Sequence, residues 1–81
     1  MNVQVKFFAL AKDRMDHDLI RMEIPENATV ADFRRTLARE YPQIADLVNG
    51  MMIAVDTEYA TDHQFLHEDA VIACIPPVSG G

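Results

Sequence analysis

Ala70-Val71-Ile72-Ala73-Cys74-Ile75 runs without a charge and is stopped at once by Pro76-Pro77. A short apolar run rich in β-branched residues, closed by prolines, reads as a strand. Because it is apolar on both alternations, it calls for at least partial cover on both faces and a place inside a sheet. The chain must therefore supply neighbours on either side, and a layer to bury at least one face.

The first neighbour is legible at the start. Val3-Gln4-Val5-Lys6-Phe7-Phe8-Ala9-Leu10 alternates, with Val3, Val5, Phe7 and Ala9 on one face. Phe8 and Leu10 break the alternation, falling with Gln4 and Lys6 on the nominal solvent side. Lys12 to Asp18 reads as a polar turn. In Leu19-Ile20-Arg21-Met22-Glu23-Ile24, the residues Ile20, Met22 and Ile24 alternate again, so the two segments predict a hairpin.

Pro25-Glu26-Asn27 punctuates the chain, and Thr29 stands at an N-cap position with Asp32 three residues on. Val30, Phe33, Leu37 and Tyr41 recur at helical spacing and share a face, while Arg34, Arg35, Arg39 and Glu40 point mainly elsewhere. Pro42 ends this helix. Ile44, Leu47 and Val48 suggest one further turn before Asn49-Gly50. Met51 to Val55 reads as a short buried strand, Asp56-Thr57-Glu58 as a turn, and the span from Tyr59 to Phe65 as a short edge strand.

The order is strand, strand, helix, strand, weak strand, strand. A right-handed crossover that lays the last strand parallel to the first gives an α+β fold, a mixed β-grasp sheet of four to five strands with one main helix on one face. At 81 residues there is room for one small core, since a chain of this size buries only about 60 to 65% of its unfolded surface. No internal repeat or linker divides it. Residues 1–75 form the body and 76–81 a protruding tail.

Composition narrows the function. Thirteen acidic against seven basic residues give a net charge of −6, which repels phosphate backbones and anionic membranes, so neither nucleic acid nor membrane is an expected partner. A protein surface is expected instead, a basic one from net charge alone. Cys74, the single cysteine, offers no internal disulfide and no sign of an oxidising compartment. The Met1-Asn2-Val3-Gln4-Val5-Lys6 start lacks the pattern of a signal peptide, and no stretch approaches membrane-spanning length; a cytoplasmic location is expected.

Other groupings have plainer readings. His63 and His67 are four apart beside Asp62, Glu68 and Asp69, but a transition metal needs three or four convergent ligands, and no metal is expected. Cys74 lies in an apolar run without an adjacent cation or His to activate it, which favours packing over nucleophilic chemistry. Asp13, Asp16 and Asp18 lack the glycine and terminal glutamate of a calcium loop. Phe8 and Ile75, with Tyr59 joining them, would meet on the sheet face away from the helix. An exposed apolar patch on a small acidic protein marks a protein interface.

The tail itself is distinctive. Pro76-Pro77-Val78-Ser79-Gly80-Gly81 favours an extended stem able to reach roughly 20 Å from the body. Its Gly80-Gly81 end, free of Cβ atoms, fits channels too narrow for side chains. That makes the terminal carboxylate the candidate reactive group.

With Val5-Lys6-Phe7-Phe8-Ala9, Thr29-Val30, Ala54-Val55 and above all Ile75-Pro76-Pro77-Val78-Ser79-Gly80-Gly81, the chain resembles the small, sulfur-carrying subunits of molybdopterin synthase, which are ubiquitin-like β-grasp proteins. The resemblance departs at Leu66-His67-Glu68-Asp69-Ala70, where Asp69 stands in a glycine's place, and at Asp56, where the family often has Asn. It implies that an ATP- and magnesium-using adenylyltransferase activates Gly81 as an acyl adenylate. Sulfur then converts Gly81 to a thiocarboxylate, and the tail enters the large synthase subunit to deliver sulfur to a pterin precursor. On this reading Pro76, Pro77, Val78, Ser79 and Gly80 thread into the partner, and Phe8, Tyr59 and Ile75 form a docking patch that both partners share in turn. The chain binds no cofactor and catalyses nothing alone. Carriers for thiamine, amino acid or tRNA thiolation, a ubiquitin-like modifier joined to lysines through Gly81, and a binding module with an inert tail are the alternatives.

Overall fold

The computed structural model describes residues 1–77. Its strands are β1 (Asn2–Phe7), β2 (Leu19–Glu23), β3 (Met52–Val55), β4 (Glu58–Tyr59) and β5 (Val71–Ile75); its helices are α1 (Ala9–Met15), α2 (Val30–Glu40) and α3 (Ala45–Val48), the last preceded by a 3-10 turn at Pro42–Ile44. The strands form one sheet in the order β2-β1-β5-β3-β4. The apolar run at β5 therefore sits third of five, parallel to β1 with Val5 opposite Ile72, and antiparallel to β3 with Ile53 opposite Cys74. This is the mixed β-grasp sheet that the sequence predicts.

Alternation decides which side chains enter the core. Val3, Val5 and Phe7 of β1, Ile72 and Cys74 of β5, and Ile53 and Val55 of β3 are buried together with Val30, Phe33 and Leu37 of α2. At about 25 cal/mol per Å² of apolar surface, this burial dominates the fold's stability. Tyr41, read on the same helix face, is only half-buried because it is the helix C-cap.

The start of α2 follows its sequence signal. The Thr29 hydroxyl accepts the Asp32 N–H at 3.2 Å, and the Asp32 carboxylate accepts the Thr29 N–H at 3.0 Å, satisfying two donors that a helix start otherwise leaves open. Those bonds from Thr29, joined by the Arg35 guanidinium, hold the Asp32 carboxyl below its ordinary pKa.

Two expectations are corrected. The first strand stops at Phe7, and the segment read as a strand end and polar turn is mostly helix α1. Ala9 is exposed rather than in the core; Ala11 and Met15, one helical turn apart, are buried instead. Ala9 to Met15 is made largely of strong helix formers, and one apolar pair at this spacing suffices to seat so short a helix. Asp16 closes it in the left-handed region at φ 57°. β1 and β2 pair antiparallel as expected, from Asn2 opposite Glu23 to Lys6 opposite Leu19, but a helix joins them in place of a tight turn.

The second correction concerns the edge strand expected over Tyr59 to Phe65, which is only β4, Glu58–Tyr59, with Phe65 in an isolated bridge to Thr29. Arg34, off the apolar stripe of α2 as expected, is used inside the fold. One guanidinium nitrogen donates to the carbonyls of Val48 at 2.6 Å and Met51 at 2.9 Å, while Nε donates to Asp62 at 2.8 Å. It ties α2 to the end of α3, the entry to β3 and the loop before β5, and its stem packs as it does so. No helix among the described residues is long and apolar enough to cross a membrane.

Candidate functional site

The tail leaves from the central strand of the sheet. Phe8 donates its N–H to the Cys74 carbonyl at 3.3 Å, and Met52 lies opposite Ile75, so the last residues of β5 are gripped from both sides. Pro76 is buried and Pro77 exposed. The chain thus leaves β5 from a fixed root at Pro76. The predicted tail residues Val78, Ser79, Gly80 and Gly81 lie outside the described residues.

On the sheet face away from α2, the register assembles a surface around this root. Phe8 continues β1 outward, Ile75 is its neighbour on β5, and Met52 is the neighbour of Ile75 on β3. The next row carries Lys6, Ala73, Ala54 and Tyr59. Phe8 is 45% exposed, Met52 52% and Tyr59 69%, whereas Ile75 is half-buried. The two alanines keep the floor between Lys6 and Tyr59 low. Phe8 and Ile75 are therefore brought together, and Tyr59 stands at the far edge of the same face.

Met52 was not read from the sequence as part of this surface, because Met51 to Val55 is apolar throughout and declares no face. The signal lay in its alternation with Ile53 and Val55. Leu19, 46% exposed and opposite Lys6, is a second outward apolar side chain that sequence reading missed.

The turn feeding β5 is held by polar contacts. Asp56 accepts the Val71 N–H on one carboxylate oxygen at 3.0 Å and meets His67 Nε2 on the other at 2.5 Å. The Val71 bond and then His67 lower the Asp56 pKa, and the Asp56 hydrogen bond raises that of His67. Asp69 adopts φ 64°, the left-handed conformation for which glycine is the default and which Asp tolerates. Its N–H donates to the Asn2 carbonyl at 2.7 Å, so the turn closes without the glycine.

His63 is exposed, and among the described residues no three His, Cys, Asp or Glu side chains gather as metal ligands. Cys74 is fully buried, and burial pushes its thiol up to about 12. A thiol so rarely ionised is an inert packing group rather than a nucleophile. The arrangement is that of a well-held strand end beside an exposed apolar surface.

Comparison with known proteins bears on this geometry. A model of the ThiS family matches residues 5–81. The molybdopterin synthase sulfur carrier subunit of Caenorhabditis briggsae is 35% identical over 83 residues, covering 100% of this chain and 99% of that protein. Among solved structures, SAMP1 from Haloferax volcanii superposes with a TM-score of 0.86 at 21% identity, with 100% of each chain covered. A chain in the complex of subunits 1 and 2 of molybdopterin-converting factor from Helicobacter pylori gives 0.70 at 21% identity, also with 100% of each covered. At that identity the two structures establish the fold.

Proposed function

This chain belongs to the ThiS family, and from that premise we propose that it is the sulfur carrier subunit of a molybdopterin synthase, working in molybdenum cofactor biosynthesis in the cytoplasm. One observation carries the reading: β5, hydrogen-bonded on both sides, leads into Pro76-Pro77-Val78-Ser79-Gly80-Gly81 in a chain aligned end to end with a carrier subunit at 35% identity.

The chemistry belongs to the last residue. A carboxylate is a poor acyl donor, so an adenylyltransferase using ATP and magnesium joins the Gly81 carboxylate to AMP. The outer sulfur of a donor's persulfide attacks the acyl adenylate and displaces AMP, forming an acyl disulfide. A thiol of the donor system then attacks the donor-side sulfur, is oxidised to a disulfide with it, and releases the Gly81 thiocarboxylate. Its sulfur is anionic at neutral pH and more nucleophilic than the oxygen it replaced. The tail then enters the large subunit and gives up this sulfur to a pterin precursor, regenerating the Gly81 carboxylate.

The body's part is positional. Pro76 and Pro77 restrict the stem before it inserts, which reduces the entropy lost on binding, and Gly80-Gly81 is slim enough for two enclosing active sites. Phe8, Tyr59 and Ile75, joined by Met52, dock on whichever partner holds the tail. One patch serves both, so activating enzyme and large subunit bind in alternation.

Deleting Gly81, or adding one residue after it, abolishes sulfur transfer to the precursor and leaves the circular dichroism spectrum unchanged. Normal turnover by either variant contradicts the thiocarboxylate mechanism. A ladder of larger lysine-linked adducts in cell extract would instead assign the chain to protein modification.

A further inference from the structure

Positive charge is unevenly used in this acidic molecule. Its seven cationic side chains are five arginines and two lysines, and every arginine sits in an ion pair with an aspartate or glutamate. Among the described residues, Lys6 and Lys12 make no such pair. These two lysines line the same groove, an open one of about 480 Å³, together with the exposed apolar side chains Phe8 and Leu19.

The fold places them there for identifiable reasons. Lys6 is opposite Leu19 in the β1–β2 register, and Phe8, the first residue past β1 and two on from Lys6, falls on the same face. Helix α1 begins directly after Phe8, whose carbonyl accepts the Lys12 N–H, so Lys12 stands one turn up beside the same opening. The groove thus has apolar walls and two cations that pair with no acid among the described residues, and it shares Phe8 with the surface around the tail root.

We propose that this groove takes an extended acidic segment of the partner protein, with an apolar side chain between Phe8 and Leu19 and flanking carboxylates on Lys6 and Lys12. The inference deepens the sulfur-carrier reading by giving the partner's chemistry at this point, and rests on that reading for the partner's identity. It reverses what net charge suggests. The body carries −6 and favours a basic partner at long range, yet the contact beside the tail root selects acid. Asp18, also in the groove, opposes an acidic guest and fixes which end the carboxylates avoid.

Two measurements test this. In the first, a short capped peptide alternating Asp or Glu with Leu is titrated into ¹⁵N-labelled full-length protein. Saturable shifts are expected at Lys6, Phe8, Lys12 and Leu19, weakening as salt rises. They are expected to vanish for Lys6→Glu/Lys12→Glu and to be absent for the Asn/Gln version of the peptide. Shifts centred elsewhere, or none, overturn the proposal.

In the second, calorimetry with the large subunit from the same genome compares wild type with variants. Lys6→Glu/Lys12→Glu weakens binding by at least about tenfold, the milder Lys12→Gln by about threefold, and Asp18→Asn tightens it by about twofold, as expected for desolvated and rim charges respectively. Arg39→Glu, on α2, leaves it unchanged. Lysine variants that bind like wild type overturn the groove proposal while the carrier reading stands. A wild type that binds no large subunit overturns the carrier reading, and the peptide titration then decides the groove by itself.

Discussion

The two faces of one sheet are built from the same strands and treated in opposite ways. On the face toward α2, Val5, Phe7, Ile53, Ile72 and Cys74 are at most 2% exposed. On the other, Phe8, Leu19, Met52 and Tyr59 are 45 to 69% exposed, although they are no less apolar. Two adjacent residues at the end of β1 show the contrast most sharply: Phe7, the last of the strand, is 1% exposed and Phe8, the next, 45%. The covered face makes the domain stable, whereas the bare face gains little from its apolar side chains until a second protein covers them. A phenylalanine's role here is set by strand parity rather than by residue type.

That difference is open to breaking by substitution at the two phenylalanines. Phe7→Ala is expected to cost about 3–5 kcal/mol, the range for emptying a core aromatic site, a large share of the stability of a small domain. Phe8→Ala is expected to cost less than about 1 kcal/mol in urea unfolding, yet to weaken partner binding about tenfold as loss of an interface anchor. Equal stability losses at the two positions would make Phe8 a core residue and erase the distinction.

A smaller effect sharpens the account of the covered side. Thr29→Ala removes the hydroxyl that caps α2 and is expected to cost about 1 kcal/mol, without changing affinity for either partner. A binding loss there would mean that α2 also faces a partner.

The smallest effect is a pH dependence at the turn before β5. The lowered Asp56 pKa contributes stability above its ordinary value of 3.8 and loses it as pH falls through the depressed folded value. The raised His67 pKa contributes below its ordinary value of 6.5 and loses it as pH rises through the elevated folded value. Both contributions are present between those two values, so Asp56→Asn should lower the melting temperature most near pH ~5 and less near pH ~8.5. Both groups are well exposed, which keeps the change modest. A difference that grows toward alkaline pH would contradict the pairing.

Much of this was legible in the sequence, for reasons that differ by residue. Val3, Val5 and Phe7 reveal a buried face because strand parity is strict, and Thr29 with Asp32 reveals a helix start because capping is local. Phe8 stood out by breaking the alternation. Helix α1 did not, since Ala9 continues the alternation of Val3, Val5 and Phe7 and only the Ala11–Met15 spacing betrays a helix. The role of Arg34 is not legible in the sequence because its partners include the carbonyls of Val48 and Met51, and carbonyls leave no mark in a side-chain pattern. The lysine groove was equally hidden: Lys6 and Lys12 are distinguished by the pairing of every arginine, which only the tertiary structure shows. The tail motif, by contrast, is plain in the sequence, and its root at Pro76 follows directly on β5.

The central claim is that Gly81 carries the sulfur and that Cys74 does not. Intact-mass analysis after incubation with ATP, magnesium, the activating enzyme and a persulfide donor tests it directly. The expected product has one oxygen replaced by sulfur, with fragmentation placing the change on Gly81. Sulfur gained without loss of oxygen and located on Cys74, or an unchanged mass under conditions that charge a known carrier, would contradict it.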